Sequence, residues 1–245
     1  MKNLSKYIFF SVLLTTNVFA QEGINGKIEV YNNPEASIFV GMGEPIVIGT
    51  MEATGEFNIP LTNDFKSVLL TSVEKENKKG KGWSFKLNTL QEAYGNCGET
   101  VKVTNGDQTM VHISNFGAFY VANIEEKKPY GMFMYVSSPK FADDFVALGK
   151  FKSTVGYYLD WVYFDEEASV KGSCELPSYT LSGASYVAET VYDLNFRSGW
   201  NLYKYEVAEV FNDEDGRQYA RKVFVKTIEE IPEGTEIYFQ DEIKN

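Results

Sequence analysis

The sequence predicts an all-β protein, built as two antiparallel β-sandwich-like domains with at most one or two short helices. Three observations carry that expectation. Apolar and polar residues alternate over many short runs, the period of a half-buried strand. Gly, Asn, Asp and Pro punctuate those runs at roughly the 8–12-residue spacing typical of sandwiches. No segment sustains the period of a long amphipathic helix.

Residues 1–20 read as a leader outside the fold. Lys2 and Lys6 give a positive start, and residues 7–14 (YIFFSVLL) form a short apolar run. Val18 and Ala20 then place small residues at the third and first positions before a signal peptidase cut. The apolar run is shorter than the ~20 residues that span a bilayer. The expectation is export to the periplasm or the extracellular space, with no membrane insertion after cleavage. Losing the two lysines would take the net charge from −11 to −13.

Residues 24–31 alternate as a first strand, with Ile24, Ile28 and Val30 at even spacing. Residues 37–40, 45–49 and 56–61 follow in the same manner, with Gly55 as the turn before the last. Residues 67–73 read as another strand and 74–82 (EKENKKGKG) as a charged hairpin tip. Residues 101–104 and 109–113 flank Asn105-Gly106-Asp107, and Asn-Gly between alternating runs predicts a hairpin. Residues 119–124 close this block. The charged, proline-ended stretch 125–129 (EEKKP) reads as a linker, which gives domains over 21–126 and 127–245. Strands resume at 131–136, 157–164, 168–174, 186–196, 200–211, 218–227 and 236–240, with 212–216 as a hairpin end. Two short helices are expected. Leu87, Leu90, Ala93 and Tyr94 have helical spacing beside an Asn88 cap. Phe141, Phe145 and Leu148 have it after Ser138, with Pro139 at the first helical position.

Residues 24–61 contain a Gly26-Lys27-Ile28 opening and the strand–turn–strand Gly49-Thr50 … Thr54-Gly55-Glu56-Phe57-Asn58-Ile59. This stretch resembles the carboxypeptidase-regulatory or transthyretin-like β-sandwich modules of secreted bacterial proteins. The resemblance implies a non-catalytic sandwich with no inherited site residues. Glu52 stands where such modules tend to carry aspartate. Gly199-Trp200-Asn201-Leu202 resembles segments of uncharacterised secreted bacterial proteins, which implies export and no particular activity.

Composition excludes several classes. Lys plus Arg number 23 against 34 Asp plus Glu, the wrong balance for gripping phosphates, so nucleic acid is not an expected partner. One histidine excludes multi-histidine metal sites, and two cysteines exclude a zinc ribbon. No cofactor or metal is expected. Export would let Cys97 and Cys174 form a disulfide, contributing ~4 kcal/mol on the chain-entropy model; two separate buried thiols are the alternative.

Candidate sites are few. Residues 157–164 (YYLDWVYF) put Tyr157, Trp161 and Tyr163 on one face of a strand. Exposed, they would make an aromatic platform for a glycan or a protein surface; buried on both faces, the strand would be core. Asn212-Asp213-Glu214-Asp215-Gly216 invites a calcium reading. An EF-hand alignment on Gly216 puts Phe211 and Lys222 at ligand positions, so that loop fails and a solvated hairpin tip remains. His112 lies on an expected strand and reads as structural. Gly183-Ala184-Ser185-Tyr186-Val187 lacks the last glycine of a nucleophile elbow. Asp143, Asp144, Asp165, Glu166, Glu167 and Glu189 could supply a carboxyl pair for glycoside hydrolysis.

The expected function is a non-catalytic exported protein that binds a glycan or a protein partner. A carboxylate-dependent glycan hydrolase and a structural envelope component are the alternatives. If the leader reading is right, mass spectrometry of exported material finds a mature chain starting at Gln21; retention of Met1 contradicts it.

Overall fold

Alternation becomes fourteen strands in a computed structural model that describes residues 23–41, 44–80, 82, 84–147 and 152–241. The leader, its cleavage site and Leu148 lie outside the described residues. The chain begins with β1 (Gly23–Lys27), β2 (Ala36–Val40), β3 (Ile46–Met51) and β4 (Glu56–Pro60). Two helices follow, α1 (Phe65–Lys78) and α2 (Leu90–Tyr94), then β5 (Val101–Thr104), β6 (Val111–His112), β7 (Phe119–Asn123) and β8 (Lys128–Val136). Helix α3 (Pro139–Val146) precedes β9 (Gly156–Phe164), β10 (Ala168–Tyr179), β11 (Ser185–Phe196), β12 (Gly199–Asn212), β13 (Gln218–Ile228) and β14 (Glu236–Asp241). The all-β class is therefore observed.

The strands form one hydrogen-bonded network in the order β1-β4-β3-β2-β7-β8-β9-β12-β13-β11-β10-β5, with β14 joined to β8 and β6 to β9. Its pairings are antiparallel apart from β11–β13. Strands β8 and β9 are buried on both faces. Phe133, Tyr135, Leu159 and Trp161 point into one apolar cluster with β1–β4. Their neighbours Met134, Val136, Tyr158, Val162 and Phe164 point into a second cluster with β10–β13. Two cores thus share one wall.

The stretch expected as a linker lies beside that wall. Residues 125–129 are not a linker but the tip of the β7–β8 hairpin and the start of β8, closed by the Lys127 N–H donating to the Ile124 carbonyl. The first cluster takes residues from both sides of it. Charge and proline marked a solvated turn, because a hairpin tip and a linker make the same demand for polar residues.

Residues 67–73 are not a strand and 74–82 not a hairpin tip; most of both belong to α1, so the helices number three among the described residues. The Val68-Leu69-Leu70 run hides a helical period. Burial falls at Phe65, Leu69, Ser72, Val73 and Glu76, one side of a helix whose other side is wet. The α2 cap is Thr89 rather than Asn88, in a capping box with Glu92. Helix α3 starts as expected, with the Phe141 N–H donating to the Ser138 hydroxyl and Pro139 in the first turn. Asn105 does turn, at φ 52°, but its flanks part: β5 pairs with β10 and β6 with β9. Long-range partners override the local hairpin.

The proposed aromatic platform is core. Trp161 is 0% exposed and packs on Phe119 and Tyr135. Tyr157 lies under the Lys204 ammonium, and Tyr163 packs edge-on to Trp200. Trp161 is thus sealed in the core, with Tyr157 and Tyr163 half-buried beside it. Trp161→Ala is expected to cost ~3–5 kcal/mol, as truncation of buried aromatics does. A thermal melt checks this; an unchanged midpoint contradicts it.

Candidate functional site

The second face of β9 carries one residue unlike its neighbours. Asp160 is 0% exposed between Tyr158 and Val162. A buried carboxyl is costly unless its oxygens are satisfied. Cross-strand register supplies the donors. Tyr203 of β12 pairs directly with Asp160 and its hydroxyl donates at 3.3 Å. On the other side β6 pairs His112 with Val162, and the Ile113 N–H continues the ladder to the Trp161 carbonyl. That register brings His112 Nδ1 to 2.9 Å and Ser114 Oγ to 2.6 Å of the carboxylate. The Trp161 N–H adds a fourth donor at 2.8 Å.

A carboxylate can only accept, so His112 Nδ1 carries the proton in this contact and Nε2 is left free as the ring's second nitrogen. The imidazole side chain is 33% exposed. It faces a cavity of about 630 Å³. Tyr94, Tyr158, Tyr192, Tyr203 and Tyr205 line that cavity together with His112 and Asp160. The rings brace one another: Tyr158 stacks on Tyr205 at 5.0 Å, Tyr94 meets Tyr192 edge-on at 5.2 Å, and His112 meets Tyr203 edge-on at 5.9 Å. Burial pushes the Tyr94, Tyr158, Tyr203 and Tyr205 hydroxyls above the usual phenol range, and the Asp160 charge adds to this for the first three. They are neutral donors and acceptors at any physiological pH.

Two devices frame the cavity. Cys97 and Cys174 are bonded, with Cα atoms 5.4 Å apart, which ties the turn after α2, and so Tyr94, to β10. At the rim, Asn115 and Ala118 pair through both backbone hydrogen bonds around a two-residue turn, Phe116-Gly117. Both central residues have positive φ, 52° and 80°, as a type I′ turn requires. Gly117 is obligatory, because a Cβ there would lie 2.6 Å from the Tyr158 ring and 3.0 Å from the Leu159 carbonyl oxygen. Phe116 has no such excuse. A bulky side chain in the left-handed region costs on the order of 1–3 kcal/mol. The turn is fixed by Ser114, whose hydroxyl accepts the Gly117 N–H at 2.8 Å while donating to Asp160.

Other sequence candidates stand elsewhere. Asp213 is buried and accepts the backbone N–H groups of Asp215 and Arg217, so it closes the β12–β13 hairpin. Burial opposes its charge, yet the Arg217 N–H, Ser182 and Tyr219 hold its carboxyl below the usual range. Among the described residues no three His, Cys, Asp or Glu side chains cluster as a metal site. Asp144 pairs with Lys140 and Lys152 at the base of α3, and Asp165 with Lys66. Sequence reading named His112 only as a structural strand residue and did not single out Tyr192, Tyr203, Tyr205 or Phe116. The pairs Tyr158/Asp160 and Tyr203/Tyr205, each two apart on a strand, were the available signal.

Comparison with protein-family models, curated proteins and solved structures gives no match.

Asp160→Asn keeps the shape of the cluster but places an amide where four donors converge. Its NH₂ group is expected to face His112 and move the imidazole proton from Nδ1 to Nε2. The chain has one histidine, so a ¹⁵N spectrum of that ring reads the change without assignment; an unchanged tautomer contradicts it.

Proposed function

We propose that this is an exported, non-catalytic protein that binds a neutral glycan in the tyrosine-lined cavity. The observation that carries the reading is a concave site walled by five tyrosines around the single His112–Asp160 pair. Ligand sites typically combine apolar, aromatic walls with a few convergent polar groups. A sugar ring matches that combination. Its C–H face covers an aromatic ring, and its hydroxyl rim meets tyrosine hydroxyls, the amides of Asn88 and Asn115, and His112 Nε2.

Neutrality of the ligand follows from the charges. Among the described lining residues the charged side chains are Lys86 and Asp160. Lys86 is paired with Glu92 at 2.6 Å, and Asp160 is occupied by four donors. The net charge of −11 further disfavours an anionic glycan. Binding is favoured over carboxylate-driven hydrolysis, which uses two carboxyl groups ~5–9.5 Å apart across the bond to be broken. Asp160 is the one carboxyl among the described lining residues. The Cys97–Cys174 bond supports an oxidising compartment, in keeping with export.

Calorimetric titration of the full chain with neutral mono- and oligosaccharides is expected to give saturable binding, weakened ~10-fold or more by Tyr192→Ala, a loss worth about one stacked ring. Tyr192 is half-buried at the cavity wall, and a thermal melt of the variant checks that the fold is kept. Absence of binding by the unaltered chain, or a preference for acidic glycans, overturns the reading.

A further inference from the structure

We propose that Phe116 is the ligand-stacking residue of the cavity, a rim-mounted ring held ready by Ser114 and Asp160. The proposal rests on the cavity being a ligand site and adds the residue that sets what fits there. Three independent observations converge. Phe116 is 70% exposed and lines the cavity. Its backbone sits at φ 52° in the first central position of a two-residue turn. Asn, Asp and Gly are the residues that fill that position at low cost. Asn105 and Lys127 are the other non-glycine residues with positive φ among the described residues, and neither lines the cavity.

A large apolar side chain held at positive φ costs the free protein backbone strain, and its exposure returns no burial to offset it. No ring contact within the described residues offsets this at Phe116. An incoming apolar face would, by drying the ring and by using an orientation already set. The ordering has a visible source. Ser114 Oγ ties the Gly117 N–H to the carboxylate that also orients His112. The stacking ring and the imidazole are therefore positioned by the same group, one for the apolar face of a ligand and one for its hydroxyl. The ligand class is a small ring compound with an apolar face and at least one hydroxyl group, which includes but is wider than a pyranose.

The test uses the full chain, Phe116→Asn and Phe116→Trp. Asn suits the turn and removes the ring; Trp keeps an aromatic face. Two probe sets are titrated, methyl glycosides and the sugar-free hydroxyl compounds cyclohexanol and phenol, with the ¹⁵N signals of His112 as the reporter of occupancy. Phe116→Asn is expected to raise the thermal midpoint and to weaken the probes that shift His112 by about tenfold, the scale of one lost aromatic contact. Phe116→Trp is expected to retain binding. Undiminished affinity in Phe116→Asn overturns the proposal, as does failure of both probe sets to reach His112 in the unaltered chain. Should the sugar-free probes bind through Phe116 while the glycosides do not bind, the stacking role stands and the glycan reading falls.

Discussion

The Asp160 carboxyl sits beyond the reach of solvent and accepts hydrogen bonds from His112, Ser114, Tyr203 and the Trp161 N–H. An unpaired charge in that position would cost several kcal/mol, so the donors are a condition of burying the group at all. Meeting that condition fixes three things together. It sets the register of β6 against β9, since only that alignment presents both His112 and Ser114. It sets the imidazole with Nδ1 inward. Through Ser114 it also holds the Phe116-Gly117 turn at the rim.

Such a group can be held because the wall around it is stiff. β8 and β9 are packed on both faces, one per apolar cluster. A strand with two dry faces cannot slip register without exposing either core. Behind the cavity, Phe145 packs on Tyr158 and Tyr205, so the aromatic lining is itself supported from the apolar side. The disulfide fastens the remaining wall. Polar side chains arranged on so rigid a support keep their geometry before any ligand arrives, which lowers the ordering cost of binding.

Most strands were legible because period-two alternation is a local property. Residues 157–164, 186–196 and 200–211 could be placed within a residue or two from pattern alone. Helix α1 was not legible as such, since Val68-Leu69-Leu70 imitates a buried strand until the spacing of Phe65, Leu69, Val73 and Glu76 is weighed against it. Pairing was less legible still. Asn105-Gly106 has the chemistry of a hairpin turn, yet β5 and β6 leave it for β10 and β9, because burial of Val101 and Val111 in different cores outweighs the local pairing. The same holds for the site. His112, Asp160, Tyr192 and Tyr203 come from four strands, and nothing in the spacing of the four residues announces that the sheet will gather them. Double-sided burial of β9 was legible as one of two readings, from apolar residues on both faces.

Both cores are rich in phenylalanine and tyrosine rings. The cluster beneath β1–β4 holds Phe57, Phe119, Phe133 and Trp161 together with the buried tyrosines Tyr31, Tyr130 and Tyr135. The cavity side is walled by tyrosines, whose rings continue the apolar core, with the Tyr203 hydroxyl committed to Asp160. The one exposed phenylalanine of this region, Phe116, is placed the opposite way, outside the core and over the opening. Among the described acidic residues only Asp160 lines this cavity, occupied by its four donors. The described lining residues thus offer aromatic rings and neutral hydroxyls with no uncommitted charge, the setting that the proposed neutral, hydroxylated ligand with an apolar face requires.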